Sequence, residues 1–137
     1  MSQHDVDILD DHRIGVYDNA TEDRGRHQEQ FLEGSSQVMV YDFATGKVSM
    51  PLEKAMNDNN VRTVVEGLFT VLPDGSTLVE DGPDGRLIIF RSDGRVAAEY
   101  VERAKNGEMY RLGMSRYIDK AKGDIILRNL RKVRCNA

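Results

Sequence analysis

The chain has 137 residues, enough for one domain with a modest core. Its 39% hydrophobic and 31% charged residues, without tryptophan, are typical of a water-soluble globular domain. The net charge of −4 argues against nucleic acid as a partner, and no apolar run is long enough to cross a membrane.

The two ends of the sequence leave the cellular compartment undecided. The first residues contain neither a basic region nor an apolar stretch, so they indicate no secretory signal. The single cysteine, Cys135, cannot form an internal disulfide and therefore indicates no redox environment.

The first part of the chain reads as strands interrupted by one long insertion. Short apolar runs predict strands at residues 6–9, 14–18, 37–42 and 47–50. Residues 21–36 are almost wholly polar and predict an exposed loop. This loop is either a plain hairpin tip or a segment that brings Arg24, Arg26 and His27 to an anion, since insertions in repeat folds gather on the binding face.

The second part of the chain repeats this pattern more clearly. After a short surface helix predicted at residues 51–59, strands are predicted at residues 68–72, 77–80, 86–90 and 95–101. The three turns between these strands each contain Asp-Gly, and both residue types tolerate the positive φ angles of tight hairpins. Because no turn has room for a crossover helix, the sheet is predicted to be an antiparallel meander.

A repeated unit of four strands is typical of a β-propeller blade. The sequence therefore predicts an all-β fold: a single partial β-propeller domain over residues 1–137, with two stacked antiparallel four-stranded blades at about residues 4–50 and 67–102. The C-terminal segment, residues 109–134, is predicted to add a closing strand near residues 123–133. Two blades leave sheet edges and an apolar face open, so we expect association with further blades or with other copies.

Two motifs in the first blade carry a resemblance to a known family. Gln3-His4-Asp5 opens a strand, and an aromatic residue followed by Asp18-Asn19 closes the next one. This pattern resembles the bacterial arylsulfotransferases, and the resemblance extends through the second blade and residues 110–118. It covers nearly all of this chain, which corresponds to about the C-terminal third of a family member.

The resemblance implies a six-bladed propeller, periplasmic or extracellular when complete. Its members move a sulfuryl group from an aryl sulfate to a phenol, without a nucleotide donor and without a cofactor. Residue by residue, His4 is implied as the catalytic histidine, and Asn19, Arg24, Arg26 and Arg116 as the residues that bind the substrate. A neutral imidazole is a competent nucleophile, and cations stabilise the charge on the sulfuryl oxygens.

The sequence also departs from an active site of this kind. No histidine follows His27, and Gly67 stands in the second blade where His4 stands in the first. A non-catalytic interaction module of the propeller type is therefore the alternative to an enzyme, and we expect the isolated chain to be inactive. The three histidines do not have metal-ligand spacing, and no hydrolase nucleophile motif is present.

Overall fold

The computed structural model describes residues 3–19, 21–23, 29–31 and 34–133. The strands are β1 (Gln3–Ile8), β2 (Arg13–Asp18), β3 (Thr21–Asp23), β4 (Glu29–Phe31), β5 (Gln37–Asp42), β6 (Lys47–Ser49), β7 (Leu68–Val71), β8 (Thr77–Asp81), β9 (Arg86–Phe90) and β10 (Val96–Val101). The helices are α1 (Glu53–Asp58) and α2 (Lys120–Leu130). Neither helix in the described part of the chain is long and apolar enough to span a membrane.

Eight of the strands form two four-stranded antiparallel sheets. Sheet 1 has the order β1-β2-β5-β6, and sheet 2 has the order β7-β8-β9-β10. All eight strands were predicted, and β5 and β9 have the predicted bounds. The all-β class with few helices is therefore confirmed.

The alternation of side chains along β2 shows how sheet 1 is arranged. Gly15 and Tyr17 are buried against sheet 2, whereas Ile14 and Val16 lie on the opposite, outer face. Successive side chains of a strand point to opposite faces of its sheet, so this alternation is expected for a strand that is covered on one face. We call the faces that the two sheets turn toward each other the inner faces.

A reciprocal pair of glycine and aromatic contacts joins the inner faces. The Phe69 ring of β7 lies over Gly15 of β2, and the Tyr17 ring of β2 lies over Gly67 just before β7. A Cβ atom on Gly15 would stand 2.4 Å from Phe69, and one on Gly67 would stand 2.0 Å from Tyr17. Glycine is needed at both positions because any side chain would push the sheets apart.

The core between the sheets also takes in α1. Its residues Ala55 and Met56 are buried, together with Leu52 just before the helix. The predicted helix exists, but it is not only a surface element, because one of its faces completes the core. The buried core cluster consists of Tyr17, Val38, Leu52, Ala55, Met56, Val61, Phe69, Val79, Ile88 and Phe90.

The insertion contains a small hairpin rather than loop alone. Strands β3 and β4 pair antiparallel, with Thr21 opposite Phe31. Arg24, Arg26 and His27, which the insertion was predicted to present to an anion, lie outside the described residues.

The closing strand predicted near residues 123–133 is wrong, because this segment forms α2. The Asp119 side chain caps the helix by accepting a hydrogen bond from the Lys122 N–H at 2.9 Å, and Lys120 pairs with Asp124 at 2.6 Å. The consecutive apolar residues at 125–127 suggested a strand, but local capping and i,i+4 pairing favour a helix where no sheet edge is joined. Helix α2 has no buried residue.

Candidate functional site

Polar side chains gather at one end of the two sheets, where β1 and β7 begin and β2 and β8 finish. In sheet 1 Gln3 pairs with Asp18, and in sheet 2 Leu68 pairs with Glu80. The Phe69 N–H donates to Asp5 Oδ2 at 2.9 Å, which holds the starts of β1 and β7 side by side. We call this region the polar end.

His4 lies at the polar end on a distorted part of β1. It is partly buried and stands opposite Tyr17 of β2. The register shifts between His4 and Val6, and Asp5 at this bulge has a φ of +50°. Bulges redirect the neighbouring side chain, and an aspartate tolerates the left-handed conformation better than most residues. The hydrogen bond from Phe69 to Asp5 fixes this geometry, so the position of His4 depends on both sheets.

Asn19 follows β2 on the same inner face as Tyr17. Its side chain is only 2% exposed, and neither its Oδ1 nor its Nδ2 has a hydrogen-bond partner in the described chain. A buried polar group without a partner costs roughly 1–3 kcal/mol. Because His4 stands opposite Tyr17, Asn19 is its diagonal neighbour, at about 8 Å by strand geometry. The structure thus brings these two predicted site residues to the same place.

A buried chain of hydrogen bonds runs beneath these residues and links the sheets. The Tyr17 hydroxyl lies 2.7 Å from Thr63 Oγ1, and Thr63 Oγ1 donates to Asp81 Oδ1 at 3.1 Å. Arg86 Nη2 donates to Asp81 Oδ2 at 3.1 Å, and Arg86 also donates to the carbonyls of Asn59 and Asn60. Tyr17, Thr63 and Asp81 are completely buried.

Burial sets the electrostatics of this chain of hydrogen bonds. It raises the pKa of the Tyr17 hydroxyl, which therefore stays protonated at neutral pH. Burial also raises the pKa of the Asp81 carboxyl, assisted by the negative charge of Asp84 and opposed by Arg86. The arrangement is a structural support for the polar end, because the Tyr17 hydroxyl, the Thr63 hydroxyl and both Asp81 oxygens are used in bonds within the chain.

A C-terminal strap, residues 102–119, crosses the polar end of sheet 2. The buried Glu80 carboxylate accepts hydrogen bonds from the Met114 N–H at 3.0 Å and the Ser115 N–H at 2.6 Å. Met114 has a φ of +63°, which lets two successive N–H groups point at one anion. The strap is further held by an ion pair of 3.3 Å between Arg111 and Glu66.

Arg116, at the far side of the strap, is exposed and donates to the carbonyl of Ser115. Burial raises the pKa of the Asp7 carboxyl, and the charge of Asp5 adds to this, while the positive charge of Arg116 opposes it. Arg116 is therefore an electrostatic neighbour of Asp7 on β1. Within the described residues, no hydrogen bond or ion pair joins Arg116 to His4.

The supporting residues Thr63, Glu80, Asp81 and Arg86 were not predicted from the sequence. One signal could have found part of this set. Glu80-Asp81 ends an apolar strand, and Arg86 begins the next strand directly opposite Asp81. Opposite charges at the two sides of a tight turn are typical of a cross-strand ion pair. No pattern in the neighbouring sequence indicated a supporting role for Thr63, because its hydrogen-bond partners come from both sheets.

The protein is thus an all-β protein in which polar side chains gather at one end of two packed sheets. Residues 1–103, well over half of the chain, match the family described as Arylsulfotransferase (ASST). The chain belongs to the arylsulfotransferase family, as its Gln-His-Asp and Asp-Asn motifs predicted. No curated protein and no solved structure matches the chain.

Proposed function

We propose that the polar end is part of an arylsulfotransferase site, in which His4 and Asn19 act on the sulfuryl group of an aryl sulfate. The observation that carries this proposal is the Asn19 amide, which is buried, has no hydrogen-bond partner among the described residues and lies on the same face as His4. Membership of the family supports the same assignment. In this proposal the two sheets are neighbouring blades of a β-propeller.

The proposed reaction passes through a covalent intermediate on His4. A ring nitrogen of the neutral imidazole attacks sulfur, so that an S–N bond forms while the S–O bond to the aryl group breaks and the phenolate leaves. In the second step, a phenol oxygen attacks the same sulfur, the S–N bond breaks, and the histidine is restored. The acceptor phenol loses its proton to solvent, and the departing phenolate takes one up.

The Asn19 Nδ2 group would donate a hydrogen bond to a sulfuryl oxygen. The flanking carboxylates of Asp5 and Asp7 oppose an anion at His4, so cations are required to balance them. Arg24, Arg26 and Arg116 are the proposed sources. An arginine fork suits the oxygen atoms of a sulfuryl group as it suits those of phosphate.

Binding is tested first on the chain alone, by titrating a phenyl sulfate into labelled protein and following side-chain NMR signals. We expect a weak interaction that shifts the Asn19 amide signals and the His4 ring signals. Because both Asn19 amide atoms are closed off from solvent, neighbouring side chains must move before the ligand reaches them. An Asn19→Ala variant that binds as the parent does would remove Asn19 from the site.

Turnover is tested by release of a coloured phenol from an aryl sulfate. We expect negligible turnover by the chain alone, and turnover once the preceding blades of an arylsulfotransferase are fused to it. In that fusion, His4→Ala is expected to reduce the rate by about a hundredfold or more. The matched control is His12→Ala, in the exposed turn between β1 and β2, which should leave the rate unchanged. Equal rates for the two variants would exclude His4 as the catalytic group.

A further inference from the structure

The first part of the C-terminal strap is held by backbone hydrogen bonds to the turn between β8 and β9. The Glu102 N–H donates to the Gly85 carbonyl at 2.9 Å, and the Leu112 N–H donates to the Gly82 carbonyl at 3.0 Å. Among the described residues beyond Leu112, the hydrogen bonds from the strap to sheet 2 both go to Glu80. The position of the residues that follow therefore depends on this one side chain.

The Glu80 side chain points away from the core, because Val79 and Asp81 on either side of it lie on the inner face. Glu80 is completely buried, and each of its carboxylate oxygens accepts one N–H, Oε1 from Met114 and Oε2 from Ser115. A buried carboxylate is costly unless its oxygens are hydrogen-bonded, so these two N–H groups are tied to it. We call this arrangement the Glu80 clamp.

The Glu80 clamp lies beside the strand that contacts the neighbourhood of His4. Glu80 is directly opposite Leu68 of β7. The next residue, Phe69, donates its N–H to Asp5, which follows His4 in β1. The strap thus reaches the polar end at the point where β7 meets β1.

Arg116 is the residue that the clamp brings to this place. It follows Ser115 directly, so the two Cα atoms are about 3.8 Å apart. Its guanidinium donates to the Ser115 carbonyl, and its positive charge acts on Asp7 of β1. A guanidinium carries five N–H groups, and the others make no hydrogen bond or ion pair within the described chain. Most of its donors are therefore available to a ligand.

We infer that Glu80 is a positioning residue of the candidate site. By clamping the strap, it sets Arg116 beside β1 as a cation for a sulfuryl group at His4. Glu80 touches no substrate and acts through Arg116. The sulfuryl ligand rests on the proposed function, whereas the placement of Arg116 is tested without any ligand.

The first test follows the titration of the Asp7 carboxyl by NMR in the complete chain. The charges that act on Asp7 are those of Asp5 and Arg116. Arg116→Gln should raise the pKa of Asp7, because a positive charge that lowers it is lost. Glu80→Gln should also raise this pKa, because the new NH₂ group cannot accept one of the two N–H groups and the strap loosens. Direct loss of the Glu80 charge would lower the pKa instead, so a rise reports displacement of Arg116.

The matched control for Glu80→Gln is Glu66→Gln. It also removes a carboxylate that binds the strap, but the ion pair of Glu66 with Arg111 is exposed and contributes little. The pKa of Asp7 should therefore stay as in the parent chain. In the double variant Glu80→Gln/Arg116→Gln, this pKa should be no higher than in Arg116→Gln alone, because the effect of Glu80 passes through Arg116.

A second pair of variants loosens the clamp without changing a buried side chain. Met114 has a φ of +63°, and it is 66% exposed. Met114→Val disfavours this conformation, because a β-branched residue rarely adopts a positive φ, whereas Met114→Gly adopts it readily. Of these two variants, the valine variant alone should raise the pKa of Asp7. The pair keeps the inference testable even where Glu80→Gln does not fold, which circular dichroism shows.

The last test titrates phenyl sulfate into the parent chain and the variants and follows the His4 ring signals. Arg116→Gln should weaken binding by about tenfold, as for loss of one hydrogen bond from a charged group. Met114→Val should weaken binding by up to the same factor. The double variant Met114→Val/Arg116→Gln should bind no more weakly than Arg116→Gln alone, because a purely structural effect of the strap would add a further loss.

The outcomes separate failure of the clamp from failure of the proposed function. An Asp7 pKa that rises in neither Glu80→Gln nor Met114→Val would overturn the inference, even where phenyl sulfate binds. Additive losses of binding in the double variant would overturn it as well. A parent chain that does not bind phenyl sulfate, with the Asp7 titrations as expected, would refute the sulfuryl ligand and the proposed function while the clamp on Arg116 stands.

Discussion

Asp18 and Asp81 occupy the same position in the two sheets, yet their surroundings differ. Each is the last residue of the second strand, and each faces the first residue of the third strand, Gln37 or Arg86. Asp81 lies on the inner face, where Thr63 and Arg86 bind both of its oxygens. Asp18 lies on the outer face, and its Oδ1 is buried without a hydrogen-bond partner in the described chain.

The comparison of Asp18 with Asp81 shows that the four-stranded repeat sets where a side chain lies in its sheet. It does not set which partners that side chain meets. The inner face of sheet 2 receives Tyr17 and Thr63 from sheet 1 and the following linker, which complete its hydrogen bonds. On the corresponding outer face of sheet 1, Asp18 Oδ1 receives no such hydrogen bond within the described chain. The two aspartates therefore provide a direct measure of what coverage by a second layer contributes.

The largest expected effect comes from changing these two aspartates in the same way. Asp81→Asn should lower the free energy of unfolding by about 3 kcal/mol, because it leaves the partly buried Arg86 without its carboxylate. Asp18→Asn should leave stability unchanged or slightly increased, since burial already raises the pKa of the Asp18 carboxyl and disfavours its charge. Urea denaturation at pH 7 measures both. Equal losses would mean that Asp18 has a partner as strong as Arg86.

A smaller loss of stability is expected when a substitution forces the inner faces of the two sheets apart. In Gly67→Ala the new methyl group collides with Tyr17, whose hydroxyl is held by Thr63, so the ring has little freedom to yield. We expect a loss of about 2 kcal/mol, typical of overpacking in a core. Gly113→Ala is the control, because nothing lies within 4 Å of its added Cβ. Thermal unfolding of the two variants compares them, and a Gly67→Ala variant as stable as the control would contradict the close packing of the sheets.

The smallest change in stability is expected for Asp10, which lies far from the inner faces in the exposed turn between β1 and β2. The hydrogen bond from the Arg13 side chain, with that from the His12 N–H, lowers the pKa of Asp10 to about 2. The folded pKa is lower than the unfolded one, so this carboxylate stabilises the fold above about pH 4, and the contribution disappears as the pH falls toward 2.

Asp10→Asn should therefore lower the melting temperature slightly at pH 7 and leave it unchanged at pH 2. The neighbouring Asp11→Asn serves as control, since Asp11 makes no hydrogen bond or ion pair in the described chain. A destabilisation by Asp10→Asn that is as large at pH 2 as at pH 7 would assign the effect to something other than this carboxylate.

The sequence by itself determined the eight strands of the two large sheets and their order. Turns at Gly75 and Gly94 each have a φ of +82°, as the Asp-Gly pattern predicted, and these turns fix neighbouring strands as hairpins. These properties depend on residues close together in the chain, so the sequence was sufficient to predict them.

Only the tertiary structure decided which faces are covered and by what. The apolar residues of α2 were predicted as a strand, because composition alone does not reveal whether a sheet edge is present to receive them. The pairing of Thr63 with Tyr17 and Asp81, and of Glu80 with the strap, joins residues that lie 18 to 46 positions apart in the chain. Burial, which sets the pKa of Asp81 and isolates the Asn19 amide, results from such distant contacts and therefore follows from the packing of the sheets.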